Sequence, residues 1–289
     1  MATAAASVIA SRRVRAERWV RRGVMILAGL FFALWTLGPL YWIIATSLKT
    51  ELQVYREPTF FPSTVTFDNY QKILLQTNFL LYIRNSIEVA VVTTLLSMTF
   101  GSAAAYAISR LHFTGRRLIA RSIVVSYLVP ASLLFISLFE VLTELHLTDH
   151  LAGLMVVYLS FTLPFCTWLM IGYFRAIPVE LEEAALVDGC TRLRALVSII
   201  LPLTLPALVV VTLFSFTQSW NEFLYALVFI SSDSNKTFTV GLIGLIQGDT
   251  LPWGLMMAAA TLGLIPPLII YVVSQRWVVS GLAAGSIKG

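Results

Sequence analysis

Six stretches of the chain, 23–46, 85–108, 122–141, 153–174, 203–230 and 253–274, run for about 20 residues or more with almost no charge. A helix rises about 1.5 Å per residue, so tracts of that length reach across a hydrocarbon layer about 30 Å thick. No other feature restricts the fold as much. In lipid every backbone N–H and C=O must be satisfied internally, and helices achieve this segment by segment. Composition agrees: 58% of the 289 residues are hydrophobic and 12% charged, against about 25% charged in an ordinary soluble domain. The expected fold class is all-α, a polytopic membrane protein with six transmembrane helices. The first tract follows a basic segment, yet it is longer than a signal-peptide core of roughly 7 to 15 residues and no A-x-A-like site closes it, so it reads as a retained helix.

The basic residues are unevenly placed between the tracts. Arg12, Arg13, Arg15, Arg18, Arg21 and Arg22 precede the first; Arg110, Arg116, Arg117 and Arg121 join the second to the third. Arg175, Arg192 and Arg194 join the fourth to the fifth, and Arg276 and Lys288 follow the sixth, so one side holds 15 of the 20 Lys and Arg residues. Lys49, Arg56, Lys72, Arg84 and Lys236 are the 5 on the other. The positive-inside rule then puts both termini of this multi-pass membrane protein in the cytoplasm. The net charge of +5 becomes a topology signal, and a nucleic-acid partner is not implied. The chain divides into a basic cytoplasmic tail (1–22), a first helix with a long extracytoplasmic loop (23–84), a five-helix core (85–275) and a cytoplasmic C-terminal tail (276–289). The first outer loop carries Pro58, Pro62, Asp68, Asn69 and Tyr70 and is predicted to hold a short helix over 67–75; the third, 231–251, is rich in Ser, Asp, Gly and Thr. Both are placed to meet a soluble partner outside, or they only connect helices.

One cytoplasmic segment, 176–206, is too long for a plain connector. Pro178 suits a first helical turn, Glu180, Glu182 and Glu183 complement the positive end of the helix dipole, and Gly189 provides a stop, predicting a short helix over 179–188. Leu181, Ala184, Ala185 and Asp188 share one face of it, and the two alanines permit close approach of another surface. Thr191 is placed to cap a second helix that enters the membrane near Pro202. The geometry expected is a docking knob, two helices at an angle facing the cytoplasm.

Within this segment Glu183-Ala184-Ala185, Asp188-Gly189 and Ile200-Leu201-Pro202 keep the order and spacing of a known motif. They resemble the EAA loop in permease subunits of binding-protein-dependent ABC importers. Phe67-Asp68-Asn69-Tyr70, Trp220-Asn221-Glu222-Phe223 and the C-terminal 281–289 are similar to the maltose-transporter-like carbohydrate subgroup. The resemblance implies the type I importer permease fold and an ATP-driven route that passes a sugar or sugar derivative inward by alternating access. It implies that Glu183, Ala184, Ala185, Asp188 and Gly189 couple the chain to an ATPase, and that Ser286, Ile287, Lys288 and Gly289 reach the same partner. The implied assembly is a heterodimer with a related sister permease, two ATP-binding subunits and an extracytoplasmic solute-binding protein, surrounded by lipid. ATP and Mg would sit on the partner subunits, with no cofactor and no catalytic residue in this chain, in keeping with the absence of a G-x-x-x-x-G-K-[ST] phosphate loop. In the related maltose system the sister subunit makes the main solute contacts.

Charges inside spans usually mark a pathway, because each costs roughly 2.5 to 3.5 kcal/mol to insert. Glu222 lies beside Trp220 and Asn221 in a span that also holds Ser215, Thr217, Gln218 and Ser219. Trp220, Asn221 and Glu222 are candidates for the translocation path or its gate; a buried structural hydrogen-bond cluster explains them too. Glu88 and Glu140 lie near span ends and read as interfacial. Pro39, Pro130, Pro164, Pro206, Pro266 and Pro267 are candidate kinks. Gly101 and the alanines after it give the second span a packing face. His146 and His150, beside Glu144 and Asp149, have a spacing open to zinc, but a polar surface accounts for them and no metal site is assigned. Cys166 and Cys190 lie in no CxxC or Cys/His pattern. A secondary transporter driven by an ion gradient is the alternative class; it calls for several mid-span charges and inverted repeats, where only Glu222 is well placed. An intramembrane protease needs a base at membrane depth, and no histidine falls within a span.

Overall fold

The computed structural model describes residues 2–56, 59–246 and 251–285, and contains no strand among them. Its helices are α1 (Ala2–Ser47), α2 (Glu51–Arg56), α3 (Asp68–Gln76), α4 (Phe79–Arg110), α5 (Arg116–Leu128), α6 (Phe135–Glu144), α7 (Leu151–Ala176), α8 (Glu180–Val187), α9 (Arg192–Ala195), α10 (Leu201–Leu203), α11 (Leu205–Asn221), α12 (Leu224–Phe229), α13 (Phe238–Ile243) and α14 (Trp253–Gly285). A π-helical stretch, Leu196–Ile200, joins α9 to α10.

Four stretches of the described residues, Trp19–Ser47, Phe79–Arg110, Leu151–Ala176 and Trp253–Trp277, are long and apolar enough to cross a membrane; the pair Arg192–Leu203 and Leu205–Asn221, bent by 83°, makes a fifth if taken as one span. Two expected tracts are therefore not continuous helices. The tract 122–141 is split into α5, a 3-10 turn Ala131–Leu133 and α6. Pro130 explains the break: proline lacks an N–H and disfavours helical backbone in the residue before it, and Val129 is extended at φ −72°, ψ 122°. The tract 203–230 bends at Thr204 and breaks again at Glu222–Phe223. Pro39, Pro164, Pro266 and Pro267 stay inside unbroken helices, and Pro206 sits in the first turn of α11. The helix expected over 67–75 is α3, and α14 runs without interruption past 275/276.

The chain forms two compact units, residues 1–70 with 253–261 and residues 71–252 with 262–289. In the first, Asn69 ties the loop to the end of α1: its Nδ2 donates to the carbonyls of Ser47 and Lys49 at 2.9 Å each, and the hydroxyls of Ser47 and Tyr70 share a 2.6 Å hydrogen bond. A Cβ on Gly254 would come within 2.8 Å of Asn69 Nδ2, so glycine allows the first turn of α14 to lie against that asparagine. Lys49 is buried, its Nζ donating to the Thr59 carbonyl and lying over the Trp42 ring.

The second unit is built on α4 against α7. Lipid supplies no hydrophobic drive between helices, so small residues and short polar contacts hold them. A Cβ on Gly101 would lie 2.6 Å from Cys166 Sγ. One turn away Ser97 and Thr162 share a 2.7 Å hydrogen bond, and the Cys166 thiol donates to the Ser97 carbonyl at 3.0 Å. Tyr106, Met170, Phe174, Ile200 and Val211 form a core at one end; Leu154, Tyr158, Tyr225 and Phe229 form one at the other. At that second end the link after α12 is pinned by two aspartates. Asp149, at φ 60°, accepts from the Ser231 and Ser232 amides and the Ser232 hydroxyl at 2.9 Å each, and the Ser232 amide is the main reason its carboxyl lies below the usual range. Asp233 accepts from Lys236 Nζ at 2.9 Å, Asn78 Nδ2 at 2.8 Å and the Tyr82 hydroxyl at 2.7 Å, contacts that pull its pKa down to about 2.

Candidate functional site

α8 owes its limits to local chemistry. Val179, just after Pro178, takes the N-cap position, and the carboxylates of Glu180, Glu182 and Glu183 fill the first turn. At the other end Asp188 is the C-cap and Gly189 adopts φ +86°, a left-handed conformation that costs a side-chain-bearing residue about 1–2 kcal/mol. The Cys190 amide donates to the Ala185 carbonyl at 2.9 Å and the Gly189 amide to the Leu186 carbonyl at 3.1 Å. These are the two bonds of a Schellman stop. The Thr191 hydroxyl then accepts from the Arg194 amide at 3.3 Å and opens α9. α8 is thus followed by a second helical run, Arg192–Leu203.

The faces of α8 are sorted by one buried acid. Glu182 and Ala185, at i and i+3, are each 5% exposed and point into the protein. The Tyr106 hydroxyl donates to Glu182 Oε1, and Arg110 Nε lies 3.4 Å from Oε2. The Arg110 guanidinium also donates through Nη2 to the carbonyls of Phe174 (2.9 Å) and Ile177 (2.8 Å). One arginine at the end of α4 thus holds the C-terminal carbonyls of α7 and the acid of α8 together. Glu183, Ala184, Asp188 and Gly189 are exposed on the opposite side, with Leu181 and Val187, whose exposure reaches 87%. The two alanines do not act alike: Ala184 faces outward and Ala185 packs inward.

A second constellation sits where two helices break. Glu222 ends α11, and its carboxylate accepts from the amides of Tyr225 (2.9 Å) and Ala226 (3.1 Å), the second and third residues of α12. It also accepts from the Tyr158 hydroxyl at 2.7 Å. Glu222 is therefore the cap that restarts the helix after the break, a carboxylate at the positive end of a helix dipole. Beside it opens a cavity of about 480 Å³ walled by Gln218, Asn221, Glu222 and Tyr225 together with Tyr127 and Pro130 from the other broken tract. Trp220 lies elsewhere, 2% exposed and stacked between Phe216 and Phe238.

Of the residues singled out from sequence, the structure thus groups Glu183, Ala184, Asp188 and Gly189 on one exposed surface, turns Ala185 inward, puts Asn221 and Glu222 on a cavity wall and buries Trp220 in an aromatic stack. Ser286, Ile287, Lys288 and Gly289 lie outside the described residues. Arg110, Tyr106 and Glu182 were missed. Their signal in the sequence is slight: Glu182 stands at i, i+3, i+4 with Ala185 and Leu186, the spacing of an inward face.

A family model described as the binding-protein-dependent transport system inner membrane component matches residues 97–283. The sulfoquinovosyl glycerol transport system permease protein SmoH of Agrobacterium fabrum is 37% identical over 94% of this chain and 93% of its own length. The trehalose/maltose transport system permease protein MalG of Thermococcus litoralis is 36% identical over 94% of this chain and 99% of its own. Among solved structures, a chain from a bacterial ABC transporter involved in the import of the acidic polysaccharide alginate superposes with a TM-score of 0.76 at 26% identity, covering 91% of this chain and 97% of that one.

Proposed function

The chain belongs to the inner membrane components of binding-protein-dependent transport systems, and from that membership we propose that it passes a sugar or sugar derivative inward by alternating access, driven through α8 by ATPase subunits. The sugar class is supported by the relatives, named for transport of sulfoquinovosyl glycerol and of trehalose and maltose. The partners are a sister permease in a heterodimer, two ATP-binding subunits that hold ATP and Mg, and an extracytoplasmic solute-binding protein. Both termini face the cytoplasm, and hydrolysis belongs to the partner subunits. Ser286 to Gly289 are a further contact with them.

The observation that carries this reading is the two-sided character of α8. Outward it offers Leu181, Glu183, Ala184, Val187 and Asp188 to a partner; inward it is tied by Glu182 to Arg110. When the ATPase pair closes and shifts α8, Glu182 and Arg110 carry the ends of α4 and α7 with it. The helix breaks at Pro130 and Glu222 lie further along the same bundle and flank the 480 Å³ cavity, which we assign to the solute path with Asn221 and Gln218 as its polar wall. A break is the place where a helix reorients without bending a continuous hydrogen-bond ladder.

Reconstitution of the whole importer in vesicles tests the coupling. Gly189→Pro cannot reach φ +86° and removes the amide bonded to Leu186; Glu183→Arg reverses a charge on the docking face. Both variants insert and assemble, yet lose ATP-driven solute accumulation. Survival of transport in both would refute the role of α8. For the path, Gln218→Ala and Asn221→Ala lower uptake while ATPase activity stimulated by the binding protein persists; unchanged uptake in both removes them from it.

A further inference from the structure

A cavity of about 940 Å³ lies between α5 and the C-terminal end of α7, apart from the α8 anchor and the solute-path cavity. Three arginines rim it, Arg117 and Arg121 one turn apart on α5 and Arg175 in the last turn of α7. Its remaining wall is apolar and aromatic, with Val125, Trp168 and Tyr173 exposed into it. Among the described residues none of the three guanidiniums has a carboxylate within ion-pair distance; the two ion pairs found are Arg110 with Glu182 and Lys236 with Asp233. The first turn of α5 has no acidic residue either, so its amide-rich end adds to the positive potential.

We propose that this cavity holds an anionic phospholipid, its phosphate between Arg117, Arg121 and Arg175 and an acyl chain along Val125 and Trp168. Guanidinium is the group that matches phosphate with paired hydrogen bonds. Three of them without a protein anion make a positive patch that an anionic headgroup complements. The apolar wall selects a lipid over free phosphate. Val125 is one helical turn beyond Arg121, about 6 Å deeper along the helix, so a molecule that fills both levels has an ionic head and a hydrocarbon body. Trp168 and Tyr173 suit the boundary between headgroups and hydrocarbon, and basic pockets between membrane helices bind such headgroups at the cytoplasmic face. The site goes beyond transport of solute and rests on the proposed orientation only for the choice of leaflet.

The test titrates the purified, delipidated importer complex with phosphatidylglycerol and with phosphatidylcholine of the same chains, counting bound lipids by native mass spectrometry. Wild type retains one phosphatidylglycerol well above phosphatidylcholine. Arg117→Gln, Arg121→Gln and Arg175→Gln each weaken it about fivefold, roughly 100-fold together. The triple lysine variant keeps most of the preference, Arg194→Gln on the α8 side leaves it unchanged, and inorganic phosphate does not displace the lipid. Equal retention of the two lipids by wild type overturns the proposal without any variant. So does unchanged retention in the triple glutamine variant, or displacement by phosphate alone, which would indicate a site for a free anion.

Discussion

The tie between α8 and the bundle can be measured through Glu182. Its side chain and that of Arg110 are each 6% exposed, so Glu182→Ala leaves a buried guanidinium with only the carbonyls of Phe174 and Ile177, and a Tyr106 hydroxyl without its acceptor. Removing one partner of a buried ion pair costs about 3–5 kcal/mol. Tyr106→Phe removes one hydrogen bond to a charged group, about 1.5–3 kcal/mol. In the double variant no tyrosine hydroxyl is left to lose, so the two effects should fall short of their sum by about 1.5–3 kcal/mol, well above the roughly 0.5 kcal/mol expected of independent sites. Thermal unfolding of the detergent-purified complex gives the cycle. Vesicles give the consequence: the Glu182→Ala complex still hydrolyses ATP but moves less solute per ATP, because α8 can shift without the ends of α4 and α7. Additive stabilities within about 0.5 kcal/mol, or an unchanged ratio of solute to ATP, would refute the reasoning.

Gly189→Ala, strained at φ +86° but free of clashes, should cost about 1–2 kcal/mol, with Gly189→Asn milder; thermal shifts of the two variants give the order. Gly101→Ala puts a methyl 2.6 Å from Cys166 Sγ and should destabilise by about 1–3 kcal/mol, partly rescued by Cys166→Ala; a full loss in the double variant counts against close packing of α4 on α7. Glu222→Ala strands two amides of α12 and the Tyr158 hydroxyl, a loss of about 2–3 kcal/mol checked by unfolding. Asp233 has its pKa lowered from 3.8 to about 2, so its contribution is complete above the unfolded value and fades as pH falls from about 4 towards 2. Asp233→Asn should flatten that part of the stability curve, by a small amount because the group is half exposed.

The lengths of the membrane tracts were legible because hydropathy is a property of a whole window. Their interruptions were not. Pro130 and Pro164 read alike in sequence, yet one splits its tract while the other stays within α7. At Pro130 the preceding residue goes extended and a 3-10 turn follows, whereas around Pro164 the backbone stays helical. Glu222 stood out as a charge in an apolar tract, with a path and a hydrogen-bond cluster both open. Only the break at Phe223 shows that its carboxylate caps α12 while also walling a cavity.

The limits of α8 were legible for the opposite reason: Pro178, the acidic turn and Gly189 act on their nearest neighbours. Among three glutamates in one turn the helical spacing only faintly marks Glu182, and what fixes its role is Tyr106, 76 positions earlier, with Arg110 at the end of the same helix. That distance matters to the mechanism. An isolated helix of 8 residues is marginal in water, so α8 cannot transmit force by its own stiffness. It needs a fixed end, given by the Gly189 stop, and a fixed face, given by Glu182. In the proposed coupling the outward residues are the surface a partner grips and the inward acid is the lever, since Tyr106 and Arg110 both join Glu182 to the end of α4 and Arg110 also holds the last carbonyls of α7.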